Sequence, residues 1–429
     1  MKKLIIGIFS LIIIAILAWQ GFSFLKHKEI KLQQAVVEKE IRIAEKTVEV
    51  VKRQKTERVL FLEPKGYDKS LSADILKWNQ KSFEHKKFYD NQYIILRPQL
   101  ADSNFANVKK LSIYQILYQK EKGSMFQKSS RLLRTYLLDQ NKKPFELDEL
   151  LAHNISGFKA ILENIAPGTQ LKEHDSNKEF LKTGRVTDGL DVKDGKLIIN
   201  DLKLPLDKLY NVIDESYLKS SDLDLVSNLK AKAPRVALTF DDGPNEKTTP
   251  KALEILKRYN AKATFFVMGQ SAVGHTDILQ RMHAVGHTDI LQRMHAEGHE
   301  IGNHTWDHPN LTKLPAEKIK EEIHKTNDLI MKATGQKPVY LRPPYGATNA
   351  TVKTVTGLKE MLWSVDTEDW KNHNTQAMMT NIKKQLRPGG VILMHDIHQT
   401  TIDALPTIMD YLTTQGYYFV TVGELYSTP

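Results

Sequence analysis

Compact apolar runs recur from Pro234 onward: "RVALTF", "KATFFVM", "MLWSV", "GVILMH" and "YYFVTV". Between them lie stretches with helical spacing, such as "TPKALEILKRYN", "PAEKIKEEIHKTNDLIMKATG" and "TIDALPTIMDYLTTQ". Runs with so few polar positions suit strands covered on both faces, and strands alternating with helices imply parallel βαβ units. Residues 234–429 therefore read as one α/β domain, an open sheet or a barrel. Polar motifs follow directly after the apolar runs. In a barrel of this kind the strand ends share one face, and that face carries the chemistry.

The first of these motifs is "TFDDGP", Thr239 to Pro244, which sets Asp241 and Asp242 side by side at a strand end. Adjacent carboxylates repel, so one of them calls for a cation nearby; a solvated Asp-Asp-Gly turn is the plain alternative. "HTWDH" spaces His304 and His308 four apart, which on a helix would put both imidazoles on one face. Two histidines and a carboxylate make a facial set for a divalent ion with open positions. "RPPYG", Arg342 to Gly346, is a stiff turn that can aim a backbone N–H at a developing oxyanion. "DTEDW", Asp366 to Trp370, and "LMHDIH", Leu393 to His398, each end a buried run with an acid or a histidine.

Seven of the fifteen histidines fall between Ala272 and Pro309. Most of them belong to a repeat: "AVGHTDILQRMH" occurs twice in tandem, at Ala272–His283 and Ala284–His295. Identical copies point to duplication of a segment, so His275, His283, His287, His295 and His299 are expected to be helix surface and not ligands. His304 and His308 lie outside the repeat.

The N-terminal half carries no motif with chemistry. Leu4 to Leu25 is largely apolar and flanked by Lys2, Lys3, Lys26 and Lys28, so residues 1–25 read as a transmembrane signal anchor whose orientation the flanking charges do not set, with a cleaved signal peptide as the alternative. Residues 26–59 are charged, with a weak helical stripe (Ile30, Val37, Ile41, Ala44, Val48), and read as a solvated helical stalk. Residues 60–150 and 151–233 read as two small α+β modules, the second with strand-like runs between Gly/Asp turns. Net charge is +10, but residues 1–59 hold twelve Lys/Arg against six Asp/Glu, more than half of that excess. No basic stripe interleaved with aromatics appears, so no nucleic-acid partner is expected. Cysteine is absent, which excludes disulfides and thiolate metal sites.

Taken in this order within one domain, the motifs resemble those of the NodB-type polysaccharide deacetylases, carbohydrate esterase family 4. The resemblance covers about Pro234 to Pro429. The layout of anchor, stalk, two modules and catalytic domain is similar to that of streptococcal peptidoglycan N-acetylglucosamine deacetylases. It implies a distorted (β/α)7 barrel and a divalent metal, zinc above all, with Co2+, Mn2+ and Ni2+ as alternatives. It further implies that Asp242, His304 and His308 hold the metal, that Asp241 is the general base, and that Arg342 keeps Asp241 ionised. The Tyr345 N–H would serve the oxyanion, and His395, held by Asp366, would be the general acid. Trp370 and Leu393 would wall the acetyl pocket.

The implied reaction removes the N-acetyl group from N-acetylglucosamine of peptidoglycan, with resistance to lysozyme as its consequence. The catalytic domain would then face the wall. Chitooligosaccharide, another wall glycan and O-acetylated xylan are alternative substrates, and an inactive wall-binding protein is the alternative of a different class. The second repeat copy departs from the family pattern. Twelve added residues would turn a continuous helix by about 120°, so the extra copy is expected to loop out and leave the other in place.

Overall fold

The computed structural model describes residues 2–56, 58–67, 69–81, 91–166, 189–200, 202–273 and 288–427, excluding the side chains of 2–14 and 78–81. Two compact units emerge. One comprises the described parts of Met1–Leu147, 186–203 and 216–219; the other comprises those of 148–185, 204–215 and 220–429.

The first unit is built on a five-stranded sheet: β1 Val50–Thr56, β2 Val59–Pro64, β3 Gln92–Asp102, β4 Lys109–Glu121 and β5 Ser124–Leu138, in that spatial order. The β2–β3 pair is parallel, and the helix Lys69–Lys81 lies in the connection between them. Alternation along β2 divides its side chains. Leu60 and Leu62 join Val36, Val37 and Ala44 of the helix Lys2–Ala44, whereas Val59 and Phe61 join Leu71 and Ile75 of the second helix. The expected solvated stalk is thus corrected. The stripe that includes Val37 and Ala44 packs on a sheet face, and residues 50–56 are a strand. Buried Glu40 on that helix is satisfied by Arg97 at 2.7 Å and by the Tyr118 hydroxyl at 2.5 Å. Among the described residues no helix is long and apolar enough to cross a membrane. The first part of the apolar run, up to residue 14, lies outside the residues whose side chains are described.

Three short strands follow, β6 Leu190–Lys193, β7 Lys196–Ile199 and β8 Leu202–Pro205. Asp194 (φ 54°) and Gly195 (φ 71°) make the left-handed two-residue turn that the "DG" pair signals. Residues 151–233 nevertheless do not form a unit of their own. Within the second unit the helix Ile155–Ile165 packs on the helix Gln399–Thr414, Tyr210 donates to the Gly416 carbonyl (2.9 Å), and Asn211 Nδ2 donates to Thr413 O (2.9 Å).

Among its described residues the second unit holds eight parallel strands: β9 Arg235–Asp241, β10 Thr264–Val267, β11 Glu300–Asn303, β12 Tyr340–Leu341, β13 Lys359–Glu360, β14 Val365–Asp366, β15 Gly390–His395 and β16 Tyr418–Val420. Their order is β13-β12-β11-β10-β9-β15-β14. β9 is central: β15 runs along one side, while β16 (at Arg235–Ala237) and β10 (at Thr239–Asp241) share the other. The expected distorted (β/α)7 barrel takes the form of an open half-barrel: β13 and β14, consecutive in the chain, do not pair. Each is only two residues long, and the Arg342 guanidinium takes the carbonyls of Met361 (Nε, 3.0 Å) and Leu362 (Nη2, 3.2 Å) just beyond β13.

Strand β9 also explains why the run looked uniformly apolar. Val236, Leu238 and Phe240 enter the main core with the helices, while Ala237 belongs to a smaller cluster with Val391 and Phe266. Thr239 and Asp241 share the face of Ala237 by the two-residue period. The helix Thr288–Ala296, made from the second repeat copy, puts Ile290, Leu291 and Met294 into the main core. Residues 274–287, which include most of the first copy, lie outside the described residues.

Candidate active site

The central ladder sets the site. Asp241 ends β9 and His395 ends β15, and the two are Cα partners. Arg342 follows β12, and His304 follows β11. All four therefore sit at the C-terminal edge of one parallel sheet, where the chain leaves each strand and the backbone is free to turn. Five non-glycine residues around this edge adopt left-handed backbone: Asp242 (φ 71°), Thr305 (66°), His308 (64°), Tyr345 (62°) and Glu368 (54°). Such conformations cost about 1–3 kcal/mol each and gather where geometry serves function.

Arg342 is fully buried (0% exposed). Its Nη1 donates to Asp241 Oδ1 (2.8 Å) and to Thr239 Oγ1 (2.6 Å), and its guanidinium lies 4.1 Å from the Phe266 ring centroid. A buried cation bonded to a carboxylate in this way holds the carboxylate in place and is itself matched in charge.

Asp242, His304 and His308 form a group whose donor atoms lie within 4.8 Å of one another, the one such group among the described residues. His304 Nδ1 lies 2.6 Å from the Arg342 carbonyl, so Nδ1 carries the proton and Nε2 presents its lone pair to Asp242 Oδ1 at 3.4 Å. His308 Nε2 is 3.6 Å from the same oxygen. That oxygen is buried and has no hydrogen-bond partner. Lone pairs converging on an orphaned carboxylate oxygen fit a divalent cation of the kind that histidine and carboxylate bind together. Burial pushes the Asp242 carboxyl up, but the surrounding histidines, His304 foremost and then His395 and His308, outweigh it and hold it at about 2.

The two histidines do not share a helix. Residues 304–310 form an irregular turn, and the left-handed residues Thr305 and His308 bring the rings to 5.0 Å. Glu322 pins this turn by accepting from the N–H groups of Trp306 (2.9 Å) and Asp307 (3.2 Å), and Asn303 Oδ1 accepts from Thr305 N (2.7 Å).

His395 is held by Asp369, not by Asp366. His395 Nδ1 is 2.9 Å from Asp369 Oδ1, and the His395 N–H donates to Asp369 Oδ2 (2.7 Å), which also accepts from Thr401 (2.7 Å). Asp366 instead closes its own turn, accepting from Glu368 N (2.8 Å). Burial alone would lower the His395 pKa, but the bond and charge of Asp369, with Asp241 and Asp242, raise it to about 9.

Leu393 is buried on β15, two residues before His395 and so on the same face. Tyr345 (69% exposed) and Trp370 (52% exposed) stand at the rim, the Tyr345 ring edge-on to His308 with centroids 4.6 Å apart. His299 is corrected from helix surface to core. It is buried, its ring stands edge-on to Phe265, Nδ1 accepts from Ala263 N (3.2 Å), and burial drives its pKa down to about 3. His295 is half-buried on its helix, and neither it nor His299 belongs to the three-residue group; His275, His283 and His287 lie outside the described residues.

Sequence reasoning missed Asp369, Asn303, Glu322 and Asp396. Asp369 was within sight, as the acid directly before Trp370. Asp396 directly follows His395 and is fully buried; it accepts from Thr249, and burial pushes it up to about 7.

Residues 228–361 match the polysaccharide deacetylase family, and residues 30–225 match the peptidoglycan GlcNAc deacetylase N-terminal domain. Over 226 residues, 52% of this chain and 46% of the relative, the chain is 40% identical to the peptidoglycan-N-acetylglucosamine deacetylase PgdA of Listeria monocytogenes. It is 42% identical over 190 residues, 44% of this chain and 38% of the relative, to the peptidoglycan-N-acetylmuramic acid deacetylase PdaC of Bacillus subtilis. The chain thus spans about half or less of those two relatives. It covers 68% of the peptidoglycan-N-acetylglucosamine deacetylase of Bacillus cereus at 39% identity over 200 residues, 45% of this chain. A half-barrel with paired acid and histidine at its central strand ends, and kinship at this level over two thirds of a relative, place the chain in the polysaccharide deacetylase family.

Proposed function

We propose that this chain is a metal-dependent hydrolase that removes the N-acetyl group from N-acetylglucosamine residues of peptidoglycan and releases acetate. The observation that carries the reading is the opposition of Arg342-bound Asp241 and Asp369-bound His395 beside the Asp242–His304–His308 group. One side chain is kept ready to take a proton and the other to give one, across a place where an amide can lie.

Asp242, His304 and His308 would hold the ion, zinc in the first instance. Bound there, a divalent ion polarises the acetyl carbonyl and acidifies water. Asp241 takes the proton of the attacking water as its oxygen bonds to the carbonyl carbon. The N–H of Tyr345, which sits in a left-handed turn, would donate to the oxyanion. His395, protonated at neutral pH, delivers its proton to the leaving nitrogen as the C–N bond breaks, giving acetate and a free amine. Asp369 fixes its Nδ1–H, so Nε2 is the nitrogen that acts. Leu393 and Trp370 bound the space for the methyl group.

The apolar run at Leu4–Leu25 supports, from sequence alone, an anchor, and a peptidoglycan substrate would require the catalytic unit on the wall side. A wall with free amines would then resist lysozyme. The name of the Bacillus subtilis relative raises N-acetylmuramic acid as a second substrate reading. Acetate release from N-acetylated peptidoglycan by the full chain, with added zinc, with chelator and with Asp241→Asn, tests the reaction. Mass spectrometry of the released muropeptides decides which sugar lost its acetyl group. Zinc-supported release abolished by Asp241→Asn supports the reading; no release from the metal-loaded protein sinks it.

A further inference from the structure

The motif Leu393–His398 carries two histidines, and the chemistry above uses only the first. His398 stands at the N-cap of the helix Gln399–Thr414, and its side chain makes no capping bond. Serine, threonine, aspartate or asparagine would cap that helix, so the position gives up a local gain to carry an imidazole, as positions with a separate task do. His373 follows the short helix Asp369–Asn372 in left-handed backbone (φ 43°). The two rings meet edge to face, with centroids 5.2 Å apart and planes at 75°.

That separation is the one a shared ion requires. Metal–nitrogen bonds of about 2.0–2.1 Å at a tetrahedral angle place two imidazole centroids roughly 5 Å apart. The His304–His308 pair has nearly the same spacing, 5.0 Å. His395 and His398 are further apart, at 5.9 Å, and His395 Nδ1 is committed to Asp369, so His395 is not a third member. The pair's own nitrogens are available. Among the described residues no hydrogen bond engages the His398 ring, and His373 Nδ1 has only a 3.4 Å contact with the Thr400 hydroxyl, which leaves its Nε2 free. His373 is exposed and His398 half-buried, so an ion can arrive from solvent. Burial foremost lowers the His398 pKa; Asp369 and Asp242 pull it up, while His395 and His373 push it down. The ring is therefore neutral at pH 7, the form that ligates.

We infer that His373 and His398 form a second, weaker site for a divalent transition ion such as zinc, copper or nickel, with water in the remaining positions. Two protein ligands instead of three make it the weaker of the two sites. A cation beside His395 opposes the protonated imidazole, so occupation of the site slows the reaction at the strand ends. That consequence rests on the deacetylase reading above; the metal site does not.

Calorimetric titration of the full chain with zinc, with bound zinc counted after gel filtration, tests the site. The parent is expected to bind one ion tightly and a second more weakly. His373→Gly keeps the left-handed turn, and His398→Ser supplies the missing cap, so both variants should fold. Each should weaken the second ion about tenfold or more and keep the first, whereas His304→Ala should do the reverse. A second ion that binds both variants as it binds the parent comes from other histidines and overturns the site, as does a parent that binds one ion only. Acetate release in excess zinc is read separately. Inhibition of the parent that both variants relieve supports the consequence, and inhibition that persists in them overturns it. No acetate release at any zinc level sinks the deacetylase reading and leaves the zinc counts to decide the site.

Discussion

Asp241 and His395 are Cα partners in the β9–β15 ladder, and each is gripped by a buried residue of opposite charge: Arg342 at 2.8 Å and Asp369 at 2.9 Å. The strand pairing sets the two side chains beside each other; Arg342 fixes the carboxylate in place, and Asp369 raises the imidazole pKa to about 9.

The first consequence concerns Arg342. Removing either charge of a buried pair strands the other, a cost of about 3–5 kcal/mol. Asp241→Asn should therefore lower stability as well as lowering kcat by about 10²–10⁴-fold. Denaturant titration beside acetate-release kinetics checks both. An Asp241→Asn protein as stable as its parent would show that Arg342 does not need this carboxylate.

The second concerns the choice between two carboxylates three residues apart. Asp369→Asn should bring the His395 pKa down from about 9 towards its ordinary value near 6.5, and with it the alkaline limb of the rate profile. Asp366→Asn should leave that limb in place. The sign for stability follows: a raised imidazole pKa gives stabilisation that is complete below pH about 6.5 and lost as pH rises through about 9. Thermal unfolding of the parent should show that decline, and Asp369→Asn should flatten it. NMR titration of the His395 ring measures the pKa directly.

The third concerns the histidines. His304→Ala and His308→Ala should each abolish tight zinc uptake and the rise in melting temperature on adding zinc; saturation at a hundred times Kd is worth about 2.7 kcal/mol. His299→Ala should lose stability instead, through a cavity beside Phe265, and keep zinc uptake. Metal analysis with calorimetry separates the two outcomes, and zinc lost from His299→Ala would contradict the assignment.

The fourth concerns Gly243. A Cβ there would sit 2.4 Å from Asp396 Oδ1, a fully buried group with no room to retreat. Gly243→Ala should cost about 1–3 kcal/mol and displace the neighbouring Asp242. Denaturant midpoints and zinc affinity should fall together.

The fifth concerns the repeat. Deleting residues 272–283 leaves one complete copy of "AVGHTDILQRMH" to supply the core positions of Ile290, Leu291 and Met294. The shortened protein should fold with a melting temperature equal to or above its parent's, since a shorter connection costs slightly less closure entropy. A large fall would mean that both copies are structural.

What was legible beforehand was local. The motif residues at Asp241, Asp242, His304, His308, Arg342, Tyr345 and His395 could be named from their short motifs and from the order those motifs share with the deacetylase family, and a parallel sheet gathers such strand ends on one edge. The "DG" hairpin and the strand–helix alternation were readable for the same reason: both are set by neighbours in the chain.

Tertiary structure decided everything that depended on a distant partner. Asp366 and Asp369 are chemically alike, and only the return of β15 beside β14 shows which one meets His395. His299 resembled a surface histidine until Phe265 and the Ala263 N–H were placed against it. The stripe through Val37 and Ala44 looked like a solvated stalk until a sheet face arrived to cover it. The sheet stayed open because β13 and β14 are two residues each and Arg342 occupies the carbonyls beyond β13. Residue type and order determined which groups could do the chemistry; long-range packing determined which of them are bonded, buried and charged.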